Sequence, residues 1–190
     1  MLRVLIPISS GFTDSEFIYA YYRMLEEGHE VFIATPDGAG VVGDKGWIVK
    51  DNQVNYSLNN GFPSNQISFD VLCLIGGVKC IEKLRLNEHL IDLISFYFYE
   101  SKDHVVIASI CHGAQLLIEA DVIKHLKGRV AGYYSIARDI ENAGGLYSES
   151  PSVAMYNNGR NIAVVTAAHY DDNAKWMKLT IEAIQNVIGK

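Results

Sequence analysis

Cys111 and His112 stand where an apolar run, residues 104–110, gives way to the helical pattern of residues 115–118. The string Ser109-Ile110-Cys111-His112-Gly113 reads S-x-C-x-G, the thiol counterpart of the G-x-S-x-G nucleophile elbow. Small residues two positions either side of the nucleophile let strand and helix approach through a sharp turn. A thiol placed there faces the unpaired N–H groups and dipole of a helix N-terminus, which favour the thiolate. An ordinary thiol, pKa about 8.5, is only a few per cent ionised at pH 7, and lowering it by about three units, a matter of about 4 kcal/mol, would make the thiolate dominant. His112 follows directly, so the turn can aim its ring beside the sulfur as a base or imidazolium partner. The plainer alternative is that His112 only caps the helix. Cys73, inside the apolar run 71–75, and Cys80, after a glycine pair, read as small core residues.

Something must hold that elbow. Continuous apolar runs at residues 2–8, 30–34, 71–75, 104–110 and 161–166 read as strands buried on both faces. Between them, residues 14–27 carry Phe17, Ile18, Tyr21, Met24 and Leu25 at helical spacings, with Gly28 as the stop. Further helices are expected over residues 81–100, from Cys111 to about 119, and over 171–188. Residues 37–50 read as a hairpin-like excursion and 52–66 as an irregular surface stretch. Alternating strands and helices with right-handed crossovers predict an α/β fold, a doubly wound and mostly parallel sheet whose working site lies at the carboxyl ends of its strands. Three such ends carry glycine or polar residues: Ser9-Ser10-Gly11, Gly76-Gly77 and Cys111-His112-Gly113.

The 190 residues, 49% of them hydrophobic, fit one domain over 1–190 that needs no metal or disulfide to build a core. The net charge of −6 is dispersed, with no Lys/Arg run interleaved with aromatics, so neither nucleic acid nor a membrane surface is an expected partner. Three cysteines cannot all pair and have no zinc or thioredoxin spacing, and the short apolar start is no signal peptide. A cytoplasmic protein without metal sites is the expectation, the six histidines lacking ligand spacing.

Taken together, the motifs resemble a known family, the intracellular PfpI-type proteins of the ThiJ superfamily, which share a flavodoxin-like core with class I glutamine amidotransferase domains. The resemblance runs through Gly11-Phe12-Thr13-Asp14-Ser15-Glu16, Gly76-Gly77 with Glu82, Ala108-Ser109-Ile110-Cys111-His112-Gly113, Asn142-Ala143-Gly144 and Trp176-Met177. It implies a Cys111-His112 pair with Glu16 hydrogen-bonded to the sulfur, and a carboxyl near a thiolate should hold its proton and donate it. It implies an oxyanion hole from Gly77 and the N–H groups after Cys111, with Gly76, Gly113 and Tyr133 around the substrate; His169, which stands where the family has an arginine, is a further candidate for substrate contact. Tyr134 competes with Tyr133 for the pocket position. It also implies a homo-oligomer, dimer or hexamer, in which Glu82 reaches across the interface to orient His112.

Several residues depart from the family's pattern: Thr13 stands for a second acid, Ile75 for a proline, Ala114 for another, and His169 for an arginine. The activity implied is a cysteine hydrolase or hydratase acting without a cofactor on small electrophilic carbonyls, glyoxalase- or deglycase-like. Alternatives are a PfpI-type peptidase, and a redox sensor or stress-response chaperone in which Cys111 is oxidised to a sulfinic acid. An amidotransferase subunit is a weaker reading, because no downstream His-x-Glu pair is present.

Overall fold

The computed structural model describes residues 1–62, 68–101, 103–157 and 161–189. In chain order the strands and helices are β1 (Arg3–Pro7), α1 (Asp14–Glu26), β2 (Glu30–Thr35), β3 (Val41–Val42), β4 (Ile48–Val49), β5 (Tyr56–Ser57), β6 (Val71–Leu74), α2 (Val78–Leu84), α3 (Glu88–Ser95), β7 (Val105–Ile110), α4 (Ala114–Glu119), β8 (Arg129–Ala131), α5 (Ala137–Asn142), β9 (Leu146–Ser148), β10 (Ser152–Asn157), β11 (Asn161–Ala167) and α6 (Asn173–Val187).

Seven strands form one sheet in the order β10-β11-β7-β6-β1-β2-β5, flavodoxin-like and doubly wound as expected. All its pairings are parallel except that of β10 with β11. Every residue of β6 and β7 is buried, as strands covered on both faces must be. Helices α1 and α6 pack together, with α6 on β7 and β11, while α4 packs against α2, α3 and α5.

From β1 the chain winds outward to β2 and β5, then returns to β6 on the other side of β1 and continues to β7 and β11. The reversal lies between β1 and β6, so the crevice beyond their carboxyl ends is where a doubly wound sheet leaves room for a ligand. The segments entering that crevice are Ser9-Ser10-Gly11, Gly76-Gly77 and, after β7, Cys111.

Three expectations need correction. The helix predicted over 81–100 is two helices, because Asn87 caps a new one: its side-chain oxygen accepts the Leu90 N–H at 3.0 Å. A π-turn, Phe96–Glu100, then ends α3. Up to residue 62, the stretch 52–66 supplies edge strand β5 and the fully buried Leu58; its residues 63–66 lie outside the described residues. Periodicity also passed over β8, β9 and α5, each too short for a repeat to register, and over β10, the antiparallel edge strand. The hairpin expected over 37–50 is present as β3 paired antiparallel to β4.

Candidate active site

The elbow forms as its spacing implies. Cys111 has φ 59, a left-handed conformation that costs a non-glycine residue on the order of 1–3 kcal/mol. A tight turn at Cys111–Gly113 joins it to α4. A Cβ on Gly113 would fall 2.2 Å from the Leu74 carbonyl oxygen, and one on Gly76 only 2.7 Å from the Cys111 Cβ. Both glycines are therefore required for β6, β7 and the turn to approach this closely. Gly77, at φ 106, turns the chain into α2 and would clash with the Gly11 carbonyl if it carried a side chain.

The His112 ring lies beside the thiol, with Nδ1 at 3.4 Å from Cys111 Sγ. Its other nitrogen, Nε2, is 3.3 Å from the Ser135 hydroxyl. Burial lowers the His112 pKa, with the charge of Glu82 acting the other way. A neutral imidazole carries one proton, and with Nε2–H donating to Ser135 Oγ, Nδ1 is left as an acceptor toward sulfur. Glu82 makes no hydrogen bond to His112 among the described residues; it is mostly exposed on α2 and ion-pairs with Arg85 at 3.4 Å.

Glu16, on the first turn of α1, is fully buried beneath the elbow. Its Oε2 accepts the Gly76 N–H at 2.8 Å. Burial pushes its carboxyl up to about 7, against the opposing pull of the Gly76 N–H and the Cys111 side chain. The lowered thiol pKa expected from the helix N-terminus is not what this geometry produces. Burial, and next the charge of Glu16, push the Cys111 thiol up, while the N–H groups of His112 and Gly77 pull it down. The elbow's dipole is legible in the sequence, but removal of the thiol from water and the like charge beneath it outweigh the dipole. Burial and the neighbouring carboxylate thus favour the protonated thiol over the thiolate. Cys73 and Cys80 are likewise held as thiols by burial, at about 12 and about 11.

The β3-β4 hairpin is latched beside this site by the buried carboxylate of Asp14, which accepts the Trp47 N–H at 2.6 Å and the Lys45 N–H at 3.0 Å. The Asp44 N–H in turn donates to the Phe12 carbonyl at 2.8 Å. Asp44 thereby joins the rim, close enough for its charge to act on Glu16.

These elements bound an open cleft of about 800 Å³ that includes Cys111, His112, Gly77, Tyr133 and His169. Tyr133 rather than the exposed Tyr134 enters it: the Tyr133 N–H donates to the Cys111 carbonyl at 3.2 Å, and its ring lies 5.0 Å from that of His112. His169 sits at the rim with Nδ1 3.1 Å from Asp171. Of the residues singled out in the sequence, Cys111, His112, Glu16, Gly76, Gly77, Gly113 and Tyr133 converge, His169 is peripheral, and Glu82 points elsewhere within one chain. Ser135, Asp44, Lys79, Lys83 and Tyr170 were not foreseen. They come from short loops and an exposed helix face with no motif of their own.

Among the described residues no helix is long and apolar enough to cross a membrane, and no group of His, Cys, Asp and Glu is arranged to hold a metal. The chain is 34% identical over 184 residues to the Pyrococcus furiosus protein named deglycase PfpI, covering 97% of this chain and 100% of that one. It is 30% identical over 172 residues to the putative cysteine protease YraA of Bacillus subtilis, covering 90% of each. A ThiJ/PfpI domain protein from Brachyspira murdochii has the same fold, with TM-score 0.77 at 14% identity over 97% of this chain and 96% of its own. A sequence profile of the DJ-1/PfpI family matches residues 2–183, and with the elbow, the crevice and these relatives it establishes that the chain belongs to the DJ-1/PfpI family.

Proposed function

We propose that this protein is a cofactor-independent cysteine hydrolase of electrophilic carbonyl compounds, glyoxalase- or deglycase-like, with Cys111 as nucleophile. The single observation that carries the reading is the Cys111 Sγ to His112 Nδ1 approach of 3.4 Å on a strained elbow facing an open cleft. Because burial favours the thiol and the neutral imidazole, no standing thiolate is needed. The S–H proton passes to Nδ1 as sulfur attacks the aldehyde carbon of a 2-oxoaldehyde. The N–H groups of Gly77 and His112, whose pull on the thiol pKa places them near the sulfur, meet the developing oxyanion. His112 returns that proton to the oxyanion, completing the hemithioacetal; the freed imidazole then takes its C–H proton and delivers it to the neighbouring carbon, while the hydroxyl proton moves to the former ketone oxygen, leaving a thioester. Water cleaves it to a 2-hydroxy acid and restores the thiol, a net addition of one water.

In this reading Ser135 holds His112 Nε2 and so keeps Nδ1 directed at the sulfur. The test is turnover of methylglyoxal beside a Cys111→Ala control, following lactate rather than loss of aldehyde, which free amines also consume. Lactate formed only with Cys111 is the expected result. Its absence overturns the reading, and Cys111-dependent cleavage of peptides instead would assign the site to a peptidase, the activity named for the Bacillus relative.

A further inference from the structure

The walls of the cleft are chemically unlike each other. Strand order fixes this: α2 follows β6 on one flank of β7, while His169 and Tyr170 follow β11 on the other flank, with Cys111 between them. On the α2 side Lys79 and Lys83, one helical turn apart, both line the cleft. The Lys79 stem is set against the β1 crevice, since a Cβ on Gly11 would meet the Lys79 Cβ at 2.7 Å. Neither ammonium has an ion-pair partner among the described residues; the neighbouring Glu82 is engaged by Arg85. The acid on the rim, Asp44, has Lys45 within 3.8 Å.

On the opposite side the rings run in series. Tyr133 stacks on His169 at 5.9 Å and 24°, and His169 lies 3.7 Å from Tyr170. The space between, about 800 Å³, falls in the range of about 300–1,000 Å³ typical of sites for drug-sized ligands. A three-carbon aldehyde leaves most of it empty.

Resting on the carbonyl chemistry proposed above, we infer that the substrate is a larger, flat, anionic 2-oxoaldehyde. Its carbonyl meets Cys111, its ring lies against Tyr133, His169 and Tyr170, and its carboxylate or phosphate faces Lys79 and Lys83. The reaction is Ar–CO–CHO plus water to Ar–CHOH–COO⁻ plus a proton; the aldehyde carbon is oxidised and the ketone carbon reduced within one molecule, so no co-reactant is needed.

The test compares 4-carboxyphenylglyoxal with phenylglyoxal in the wild type and in a Lys79→Met/Lys83→Met double variant, reading the ratio of kcat/KM for formation of the two mandelates. At low salt the wild type should favour the carboxylate by about tenfold, a preference that salt and the double variant both erase. Phenylglyoxal should in turn show a KM about tenfold below that of methylglyoxal. A charge ratio near one, or one unchanged in the double variant, overturns the inference while leaving the carbonyl hydrolase intact.

If no 2-oxoaldehyde is converted, the proposed activity fails, and alkylation of Cys111 decides the anion preference by itself. The rate with iodoacetate relative to iodoacetamide should fall about tenfold in the double variant and with added salt. A ratio indifferent to both overturns the cationic wall.

Discussion

Replacing Glu16 by glutamine removes a buried charge while keeping an oxygen for the Gly76 N–H. The carboxyl titrates at 4.5 in the ordinary case and at about 7 in the folded protein, raised chiefly by burial. At about 1.36 kcal/mol per pH unit that gap amounts to about 3 kcal/mol. Below both values the group is neutral in both states and neither adds nor subtracts stability. Between them the folded chain keeps the proton that the unfolded chain releases, so stability falls as pH rises and levels off above about 7. An amide does not titrate, so the Glu16→Gln variant escapes this loss. Urea denaturation of both proteins at about pH 5 and about pH 8 should show the variant gaining about 2.5 kcal/mol on the wild type over that interval, whatever constant offset the amide introduces. The same substitution removes the charge that raises the Cys111 thiol, so iodoacetamide should alkylate Cys111 faster in the variant above pH 7. A stability difference equal at the two pH values, or slower alkylation, would refute the placing of a buried ionisable carboxyl beneath the sulfur.

Three further substitutions probe the scaffold. Gly113→Ala drives a Cβ to within 2.2 Å of the Leu74 carbonyl and should cost about 1–3 kcal/mol in denaturant unfolding, with loss of Cys111-dependent turnover. Ser135→Ala frees His112 Nε2 and should lower kcat with little change in KM and move the acid limb of the pH profile, while Ser135→Thr restores both; a profile unmoved by the alanine would deny Ser135 a positioning role. Asp14→Asn leaves one oxygen where the Lys45 and Trp47 N–H groups are held, costing about 1.5–3 kcal/mol and exposing residues 43–47 to limited proteolysis. Unchanged resistance to protease would mean that the hairpin is held by other contacts.

The sheet and its elbow were legible in the chain because their causes are local. A strand buried on both faces is a continuous apolar run, as in Val105–Ile110, and a sharp turn with no room for side chains shows as Ser109 and Gly113 around Cys111. Resemblance to a family carried Glu16 and Gly77 to the same place. What the sequence could not contain was the balance at the sulfur. A helix N-terminus can be read from a motif; the burial of Cys111 and the charge of Glu16, which raise the thiol instead, arise only when segments far apart in the chain close over it. The same holds for Ser135, which is 23 positions beyond His112, and for the Asp14 latch, whose partners lie 31 and 33 positions away. Periodicity reports which face of an element is buried, but hydrogen bonds between loops leave no period. The cationic and aromatic walls of the cleft follow from strand order, which places α2 and the end of β11 on opposite sides of Cys111. That order is a property of the folded sheet, because hydrogen bonding between distant strands, not proximity in sequence, decides which loops face one another.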